Sequence, residues 1–486
     1  MQQPIVRTYR GNTPEAAAQS YRADAARAAT AGYIPASHRW AEDADGHTLT
    51  VSYQLRAQIE APMQAGPPVE SAPATGEPQP APEPTMQVAA EPPTAEPTPT
   101  VAAEPMPTVA AEPAPPPARP AKSAVQRPIG RQEALTVQVL DLHCAGEPLR
   151  MIRSGFPDVP VAPVLERRRW VADNADHIRR AIINEPRGHR DMYGAILLPP
   201  YREDADICLL FMHNAGYSTM CGHGVIAVTT ALIEEGLFPA SEPVTTITYE
   251  VPAGLVAASA SVAALPDGSH AVRGVRFTNV PSYLAARSLA LVPDGVELHG
   301  RAASAGHLAV DLAFGGAYYG IVDAAQLGLR VVPDKAAELR RVGAAITELL
   351  RRDHSPTHPT DADLSFVYGT IIVDLDPATS PDGRAADAHI RNATIFADAE
   401  LDRSPCGSGT SAILAQLHAR KRLRVGQEIV NAGITGEHFL GRVESETRFG
   451  GQPALVTSVA GNAFITGYAT LVVDERDPLG EGFVLG

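Results

Sequence analysis

From about residue 135 onward, short apolar runs alternate with polar turns along the chain. Residues 136–141, 195–198 and 370–374 are such runs, rich in Val, Ile and Leu, and they predict strands. Two further stretches, 225–235 and 411–420, have helical spacing, and each follows a glycine-rich turn that contains a cysteine. The pattern predicts a sheet-rich α/β domain, with roughly 350 residues remaining between this point and the last residue.

The first 58 residues have a different pattern, which predicts a small α+β module. The apolar run 5–9 and the alternating run 48–54 predict strands, with a turn at 44–46. Thr13, Pro14 and Glu15 provide an N-cap, a first-turn proline and an early acid, so we expect a helix to begin there and to end near Gly32. Because much of this helix is alanine, the module buries little apolar area.

Residues 59–132 form a linker between the two regions. Twenty of the 44 prolines lie here, and the pentapeptide Val-Ala-Ala-Glu-Pro starts at Val88, Val101 and Val109. Such a composition cannot bury a core, so we expect a disordered tether rich in Pro, Ala and Glu. Docking of this tether to a proline-binding partner is the weaker interpretation, because no arginine-flanked PxxP site stands out.

The charge and hydropathy of the chain exclude several classes of function. Forty Lys and Arg stand against 55 Asp and Glu, for a formal net charge of −15, and no basic patch is interleaved with aromatic residues. Nucleic acid is therefore not an expected partner. No apolar run approaches the roughly 20 residues that span a bilayer, and the N-terminus lacks signal-peptide character, so we expect a soluble cytoplasmic protein.

Two cysteines lie in turns of one plan, Cys-Gly-x-Gly opening a helix. These are Cys221, within residues 216–224, and Cys406, within 402–410. Glycines let the backbone approach a ligand closely, and the unpaired N–H groups of a helix start attract anions, so both turns could hold a carboxylate. The same helix dipole should lower the pKa of each thiol from about 8.5, as a general base near neutral pH requires. Two such thiols on opposite faces of a planar intermediate would invert a stereocentre without metal or other cofactor.

Other readings of the cysteines and of nearby polar residues remain open at this stage. Cys208 lies in an apolar strand and is expected to be a buried small hydrophobe, whereas the role of Cys144 is less clear. A Cys221–Cys406 disulfide would compete with paired catalysis, although a cytoplasmic setting disfavours it. A metal site is considered for one cluster whose spacing fits no standard ligand set, so salt-bridged loops are favoured. Its members are His143, Glu147, Arg187, His189 and Asp191. His213 and His223 are expected to donate hydrogen bonds near the site.

The two cysteine motifs resemble the signatures of a known family. Residues 220–224, Met-Cys-Gly-His-Gly, and 402–411, Asp-Arg-Ser-Pro-Cys-Gly-Ser-Gly-Thr-Ser, are similar to those of proline racemases, hydroxyproline 2-epimerases and trans-3-hydroxy-L-proline dehydratases. Segments 141–150, 185–194, 311–318 and 477–483 extend the resemblance over about 137–486. The first module and the tether lie outside it.

The resemblance implies a diaminopimelate-epimerase-like fold, with two similar halves that each wrap a curved sheet around a central helix. We assign the first half to 133–290 plus about 460–486 and the second to 291–459. By motif position, Cys221 and Cys406 match the acid and base, and Asp402 matches the residue that contacts the substrate nitrogen. The substrate-binding turns match Gly222, His223, Gly224, Gly407, Ser408 and Gly409. The resemblance also implies a homodimer and no cofactor.

The resemblance leaves the reaction and substrate open. A racemase or 2-epimerase of proline or hydroxyproline leads, because relatives that dehydrate trans-3-hydroxy-L-proline resemble one another in replacing the second cysteine with threonine, whereas Cys406 is present here. Residues 211–220 and 368–371 look more like the dehydratase branch, so dehydration is the alternative. Family members usually have threonine in place of Cys144. A non-enzymatic amino-acid-binding protein, with residues 1–58 contacting an unidentified protein partner, is the third reading.

Overall fold

The structure, a computed structural model, describes residues 5–11, 33–43, 46–55, 135–374 and 388–485. The chain divides into two compact units, Met1–Pro117 and Ala118–Gly486. In the first unit β1 (Ile5–Gly11), β2 (Tyr33–Asp43) and β3 (Gly46–Leu55) form an antiparallel sheet in the order β1-β3-β2. The predicted strands 5–9 and 48–54 lie in β1 and β3. The predicted helix that starts at Thr13 and the tether 59–132 lie outside the described residues.

The second unit consists of two sheets with the same internal order. The strands before residue 280 are β4 (Leu135–Cys144), β5 (Glu147–Ser154), β6 (Tyr193–Leu198), β7 (Ile207–His213), β8 (Gly216–Ser218), β9 (Val244–Val251), β10 (Gly254–Ala264) and β11 (His270–Thr278). Those after it are β12 (Tyr283–Leu291), β13 (Leu308–Phe314), β14 (Tyr318–Asp323), β15 (Val367–Asp374), β16 (Ala388–Phe396), β17 (Glu400–Leu401), β18 (Glu428–Ala432), β19 (His438–Phe449), β20 (Gln452–Gly461) and β21 (Ala463–Val473).

Strand pairing shows the internal repeat. The first sheet runs β21-β4-β5-β6-β7-β9-β10-β11, and its β5–β6 and β7–β9 pairs are parallel. The second runs β12-β13-β14-β15-β16-β18-β19-β20, and its β14–β15 and β16–β18 pairs are parallel at the equivalent places. An antiparallel β11–β20 pair joins the sheets. Strand pairing places β12 in the second sheet. The assignment of 133–290 to the first half would instead put most of β12 in the first half.

The described residues of this unit also form six α-helices: α1 (Val164–Asn174), α2 (Asp176–Ile183), α3 (Gly222–Glu234), α4 (Gly300–Ala305), α5 (Ala336–Asp353) and α6 (Gly407–Ala419). Helices α3 and α6 are the central helices, one in each half, and they are buried along almost their whole length. Helices of this kind are apolar on all sides because no side meets water. The predicted fold of two similar halves, each a curved sheet around a central helix, is confirmed.

The covering helices explain why some strands are apolar throughout and others alternate. Strand β15 lies against α5 and is buried at every position, whereas β21 alternates between buried or half-buried and exposed positions over much of its length.

The central helices begin three or four residues before the predicted starts at 225 and 411, because glycines at the helix start hide the apolar periodicity. No helix within the described ranges is long and apolar enough to cross a membrane.

The two central helices meet end to end through their first residues. A Cβ added to Gly222 would lie 2.5 Å from the Cα of Gly407, and one added to Gly407 would lie 2.6 Å from the Cα of Gly222. The ring of Phe277 closes the contact from the side, at 2.8 and 3.0 Å from the same added atoms. The two halves can approach this closely only because both positions are glycine.

We predict that Gly222→Ala lowers the free energy of unfolding by about 1–3 kcal/mol, because the new methyl group meets backbone that cannot move aside cheaply. The thermal unfolding midpoint measures this. Gly467→Ala is the matched control, because its added Cβ meets nothing within 4 Å. Equal midpoints for the two variants would show that the helix ends are not in firm contact.

Candidate active site at the helix N-termini

Cys221 is the N-cap residue of α3, and its sulfur takes the place of the usual capping oxygen. The Gly224 amide donates to Sγ at 3.2 Å, and Nδ1 of His223 lies 3.3 Å from the same sulfur. Burial lowers the pKa of His223 to about 3, so this imidazole is neutral. The Gly224 amide and the His223 side chain thus hold the thiol in place together. The cysteine is only 4% exposed.

Cys406 occupies the same place at α6 but in a different backbone conformation. The Gly409 amide donates to Sγ at 3.4 Å, and the residue itself has φ +59°, a left-handed value that is strained for a side chain of this size. The residues before it hold that conformation. The Cys406 amide donates to Ser404 Oγ at 3.1 Å, while Asn392 Nδ2 donates to the Pro405 carbonyl at 2.8 Å.

The second glycine of each Cys-Gly-x-Gly turn makes room for the sulfur. A Cβ on Gly224 would lie 2.9 Å from Cys221 Sγ, and one on Gly409 would lie 3.0 Å from Cys406 Sγ. The first glycine of each turn makes the contact between helices described above. Each glycine of the motif is therefore needed for its own steric reason. Together the glycines place the two thiols at the junction between the helices.

The same junction brings two positive helix ends together. The first N–H groups of an α-helix have no partner within the helix, and the helix dipole places about half a positive charge at this end. In α3 these groups belong to Gly222 and His223, and in α6 to Gly407 and Ser408. Tyr319 fixes the Ser408 hydroxyl, since their oxygens are 2.8 Å apart. An anion such as a carboxylate is the ligand that this arrangement favours.

Asp402 lies beside the second thiol turn and is 3% exposed. It accepts hydrogen bonds from the Ser404 amide at 2.8 Å and from the Ser404 hydroxyl at 2.7 Å. Burial outweighs these bonds and raises its pKa to about 6. A buried carboxylate with a raised pKa is stabilised by any cation that enters the site, such as a protonated amine.

The expectation that the helix dipoles lower the pKa of both thiols is wrong for this closed site. Burial raises the pKa of Cys406 to about 12, with Asp402 adding to the rise, and raises that of Cys221 well above its ordinary value. The Gly224 and Gly409 amides act in the expected direction but are outweighed. Part of this burial comes from residues remote in sequence, such as Tyr319, whose hydroxyl lies 3.9 Å from Cys406 Sγ, and the local sequence does not show them.

Three buried tyrosines near the thiols were missed by the sequence analysis. Tyr193 in β6 donates to Ser218 Oγ at 2.5 Å and its hydroxyl lies 3.3 Å from that of Tyr368 in β15. Burial chiefly raises the pKa of all three, and a nearby thiolate adds to the rise, Cys221 for Tyr193, Cys406 for Tyr319 and both for Tyr368. Aromatic residues in apolar strands are typical of a core, so the sequence pattern does not indicate that these tyrosines lie near the thiols. Only the contacts of their hydroxyl groups show it.

Glu400 and His213 join the buried hydroxyl groups of Tyr193, Ser218 and Tyr368 in one set of polar residues, which we call the polar wall. Both are buried, and His213 Nδ1 lies 3.5 Å from Glu400 Oε1. Neither carboxylate oxygen of Glu400 has a hydrogen-bond partner among the described residues. The charge of Glu400 contributes to the raised pKa of Tyr368, so the two are close. The expected hydrogen bonding near the site is seen for His223, whereas His213 accepts from the Ala215 amide at 3.3 Å.

The acidic and histidine cluster around residues 143–191 forms ion pairs and loop contacts. Glu147 accepts from the Arg403 amide at 2.7 Å, and Asp191 pairs with Arg340 at 2.6 Å. Burial and Asp402 raise the pKa of Glu147. His189 Nδ1 contacts a backbone carbonyl at 2.8 Å. Within the part of the chain that is described, no group of His, Cys, Asp or Glu could hold a metal ion.

All four cysteines are free thiols, so no disulfide joins Cys221 to Cys406. Cys208 is fully buried in β7, as expected for a small hydrophobe. Cys144 ends β4 and is also fully buried, and its pKa is raised by burial and by the charges of Asp402 and Glu147. The thiol of Cys144 therefore lies within electrostatic range of both carboxylates.

Comparison with known proteins gives one consistent match over the second unit. Residues 139–484 match the family model described as proline racemase. Relatives include a trans-3-hydroxy-L-proline dehydratase of Bacillus cereus, 41% identical over 71% of this chain and 97% of its own length. A 3-hydroxyproline 2-epimerase of Burkholderia multivorans is 40% identical over 72% and 98%, and a proline racemase of Clostridioides difficile is 37% identical over 72% and 98%.

A solved structure supports the same assignment. A hydroxyproline epimerase of Agrobacterium vitis, crystallised with bound trans-4-hydroxy-L-proline, matches with a TM-score of 0.65 and 31% identity, covering 72% of this chain and 95% of that one. Relatives with nearly equal identity carry out racemisation, epimerisation and dehydration, so overall similarity does not select one reaction.

The pKa of Asp402 predicts how one substitution changes the dependence of stability on pH. Because its folded pKa of about 6 lies above the ordinary 3.8, the unfolded chain releases this proton first, and stability is lost as pH rises through about 6. Asp402→Asn removes that loss and keeps an oxygen for Ser404. We therefore expect the midpoint of the variant, relative to the unmodified protein, to rise between pH 4 and pH 7.5.

The control for this measurement is Asp204→Asn, since a hydrogen bond from Arg202 lowers the pKa of that exposed carboxyl. Its relative midpoint should not rise over the same interval. A flat profile for Asp402→Asn would mean that Asp402 is not desolvated in the folded protein.

Proposed function

The chain belongs to the proline racemase family, and we propose that it inverts the α-carbon of proline or a hydroxyproline, with Cys221 and Cys406 as acid and base. The observation that carries this proposal is the pair of thiols that cap two helices meeting end to end. Each thiol lies at the same point of its own half. A substrate at the junction would therefore have one sulfur on each face.

The polar groups of the junction suit an amino acid in a fixed orientation. The four N–H groups of Gly222, His223, Gly407 and Ser408 would bind the carboxylate, which also balances the two positive helix ends. Asp402 would accept from the protonated ring nitrogen, and its own charge is stabilised in return. These two contacts would hold the α-carbon between the sulfurs.

Inversion then needs one proton transfer on each face. One thiolate removes the α-proton, the electron pair moves into the carboxylate-conjugated carbanion, and the thiol on the opposite face donates its proton to the α-carbon. The second sulfur becomes the thiolate, so charge is conserved. Like charges favour this division of labour, because the charge of Cys406 raises the pKa of Cys221 and only one sulfur ionises readily at a time.

Among ring substrates, the polar wall favours a hydroxyproline over proline. Tyr193, Ser218 and Tyr368 offer hydroxyl groups, and Glu400 offers two carboxylate oxygens that have no hydrogen-bond partner among the described residues. A buried acceptor of this kind is costly unless a donor fills it. The ring hydroxyl of hydroxyproline is such a donor, and proline has none.

Dehydration of trans-3-hydroxy-L-proline is the second candidate, and the Tyr193–Ser218 contact beside Cys221 favours it. Cys221 would remove the α-proton, the C3–O bond would break, and Tyr193 would donate its proton so that the hydroxyl leaves as water. Tyrosinate would recover its proton from solvent, and the enamine product would tautomerise to a cyclic imine. This route needs no second thiol.

We predict that Cys221→Ser and Cys406→Ser each reduce inversion of trans-4-hydroxy-L-proline and of proline at least about 100-fold, because general acid–base groups contribute 10²–10⁴. Chiral chromatography measures inversion. In D₂O, each variant should still exchange the α-hydrogen of the one stereoisomer that faces its remaining thiol. Cys208→Ala is the control and should keep its rate, because Cys208 lies in β7 away from the turns. Wild-type turnover in either serine variant would refute the two-base mechanism.

We further predict that Cys406→Thr shifts the products of trans-3-hydroxy-L-proline from inversion towards the imine, since only elimination can proceed without the second thiol. A carbonyl-reactive colour assay detects the imine. Adding Tyr193→Phe should then lower imine release at least about 10-fold while α-hydrogen exchange persists. Tyr201→Phe, at an exposed position, serves as the control. Imine formation that is unaffected by Tyr193→Phe would remove Tyr193 from the mechanism.

A further inference from the structure

The proposed site is closed. Cys221, Cys406, Asp402 and Glu147 are all buried, the most exposed being Cys406 at 7%. Cys221 and Glu147 belong to the first half, and Cys406 and Asp402 to the second. A substrate can therefore reach the thiols only if the halves move apart. The contacts that cross between them then decide how often the site opens.

A set of four charged residues crosses between the halves next to the site. Its two acids, Glu147 at the start of β5 and Asp191 before β6, come from the first half. Its two bases, Arg340 on α5 and Arg403 before α6, come from the second. We call these four residues the latch.

The strongest contact of the latch is a forked pair. Arg340 donates from Nη2 to Asp191 Oδ2 at 2.6 Å and from Nη1 to Oδ1 at 3.1 Å. The same Nη1 donates to the Ala399 carbonyl at 2.7 Å, so the guanidinium is fixed on its own half. Asp191 is buried and has φ +60°, and in its own half the nearest charged group is Arg190 at 3.8 Å. Separation of the halves would remove its main partner.

The second part of the latch adjoins the catalytic turn. Arg403 directly follows Asp402, and its amide donates to Glu147 Oε2 at 2.7 Å. Its Nη1 donates to the Asp191 carbonyl at 2.6 Å and lies 3.6 Å from Glu147 Oε2. Three contacts thus tie the 402–406 turn to the first half, where Cys221 lies.

We propose that the latch holds the two halves closed and sets the Asp402 and Cys406 turn against the Cys221 turn, so that Asp191 and Arg340 are positioning residues for catalysis. This rests on the proposed function as far as turnover is concerned. The closing action itself rests on the ion pairs alone. A charge-assisted fork is well suited to this task because it is directional and can break and re-form without rearranging a core.

The test measures opening directly, through alkylation of Cys221 and Cys406 by iodoacetamide in the full-length protein, read by peptide mass spectrometry. Arg340→Gln and Asp191→Asn should each raise the alkylation rate of both thiols at least about 10-fold. Arg202→Gln breaks a pair within one half, Arg202–Asp204, and should leave the rate unchanged. The double variant should be no faster than the faster single one, because both changes break the same pair.

Kinetics give the second readout. Loosening the latch should raise KM for the racemised substrate more than it lowers kcat. The reason is that binding of the substrate's carboxylate must then close the halves before chemistry occurs. Arg340→Lys keeps the charge but not the fork and should fall between wild type and Arg340→Gln in both alkylation and KM. This milder variant also carries the test if Asp191→Asn does not fold.

Alkylation rates equal to wild type in folded Arg340→Gln and Arg340→Lys would overturn the latch. Faster alkylation with no change in KM would leave the closing action but remove the positioning role. If no proline analogue turns over in the unmodified protein while alkylation still responds to the variants, the proposed function fails and the latch stands.

Discussion

The contact between Gly222 and Gly407 is the constraint on which the rest of the site depends. Two helices enter from separate sheets and stop when their first residues touch, which fixes the distance between the halves and the place of both sulfurs. Any side chain at either position would push the helices apart. Backbone close to backbone also brings two partial positive charges together, of about half an elementary charge each. The junction therefore favours an anion between the two helix ends.

Closure has an electrostatic cost that ligand binding can remove. Burial raises the pKa of both thiols and of Asp402, so it favours their neutral forms. In the proposed mode of binding, a zwitterionic amino acid would offset both effects, since its carboxylate would face the helix ends and its ammonium would face Asp402. The same burial that raises these pKa values would strengthen each interaction with a bound zwitterion. Burial lowers the pKa of His223, so its neutral imidazole adds a hydrogen-bonding group without adding charge.

Local signals in the sequence were enough to predict the central helices, their cysteine caps and the glycines beside them. Those features depend on neighbours within a few residues, as the Gly224 amide and Cys221 sulfur illustrate. Contacts between distant residues could not be predicted: Glu147 and Arg403 are 256 positions apart, and Tyr193 and Tyr368 are 175. The predicted direction of the thiol pKa shifts was wrong for the same reason, because residues that bury the thiols, such as Tyr319 beside Cys406, are remote in sequence. The left-handed conformation of Cys406 has no signal of its own, since its supports, Asn392 and Ser404, are common polar residues.

The pairing of β21 with β4 has a consequence for synthesis on the ribosome. One edge of β4 waits for a partner that begins about 320 residues later, at Ala463 opposite Cys144. At 5–20 residues per second that interval lasts roughly 15–60 s. Throughout it the nascent first half carries an open strand edge, the kind of surface that invites pairing with another chain. Emergence of β21 from the ribosome is thus the event that seals the first sheet, so the half whose synthesis begins first is completed late.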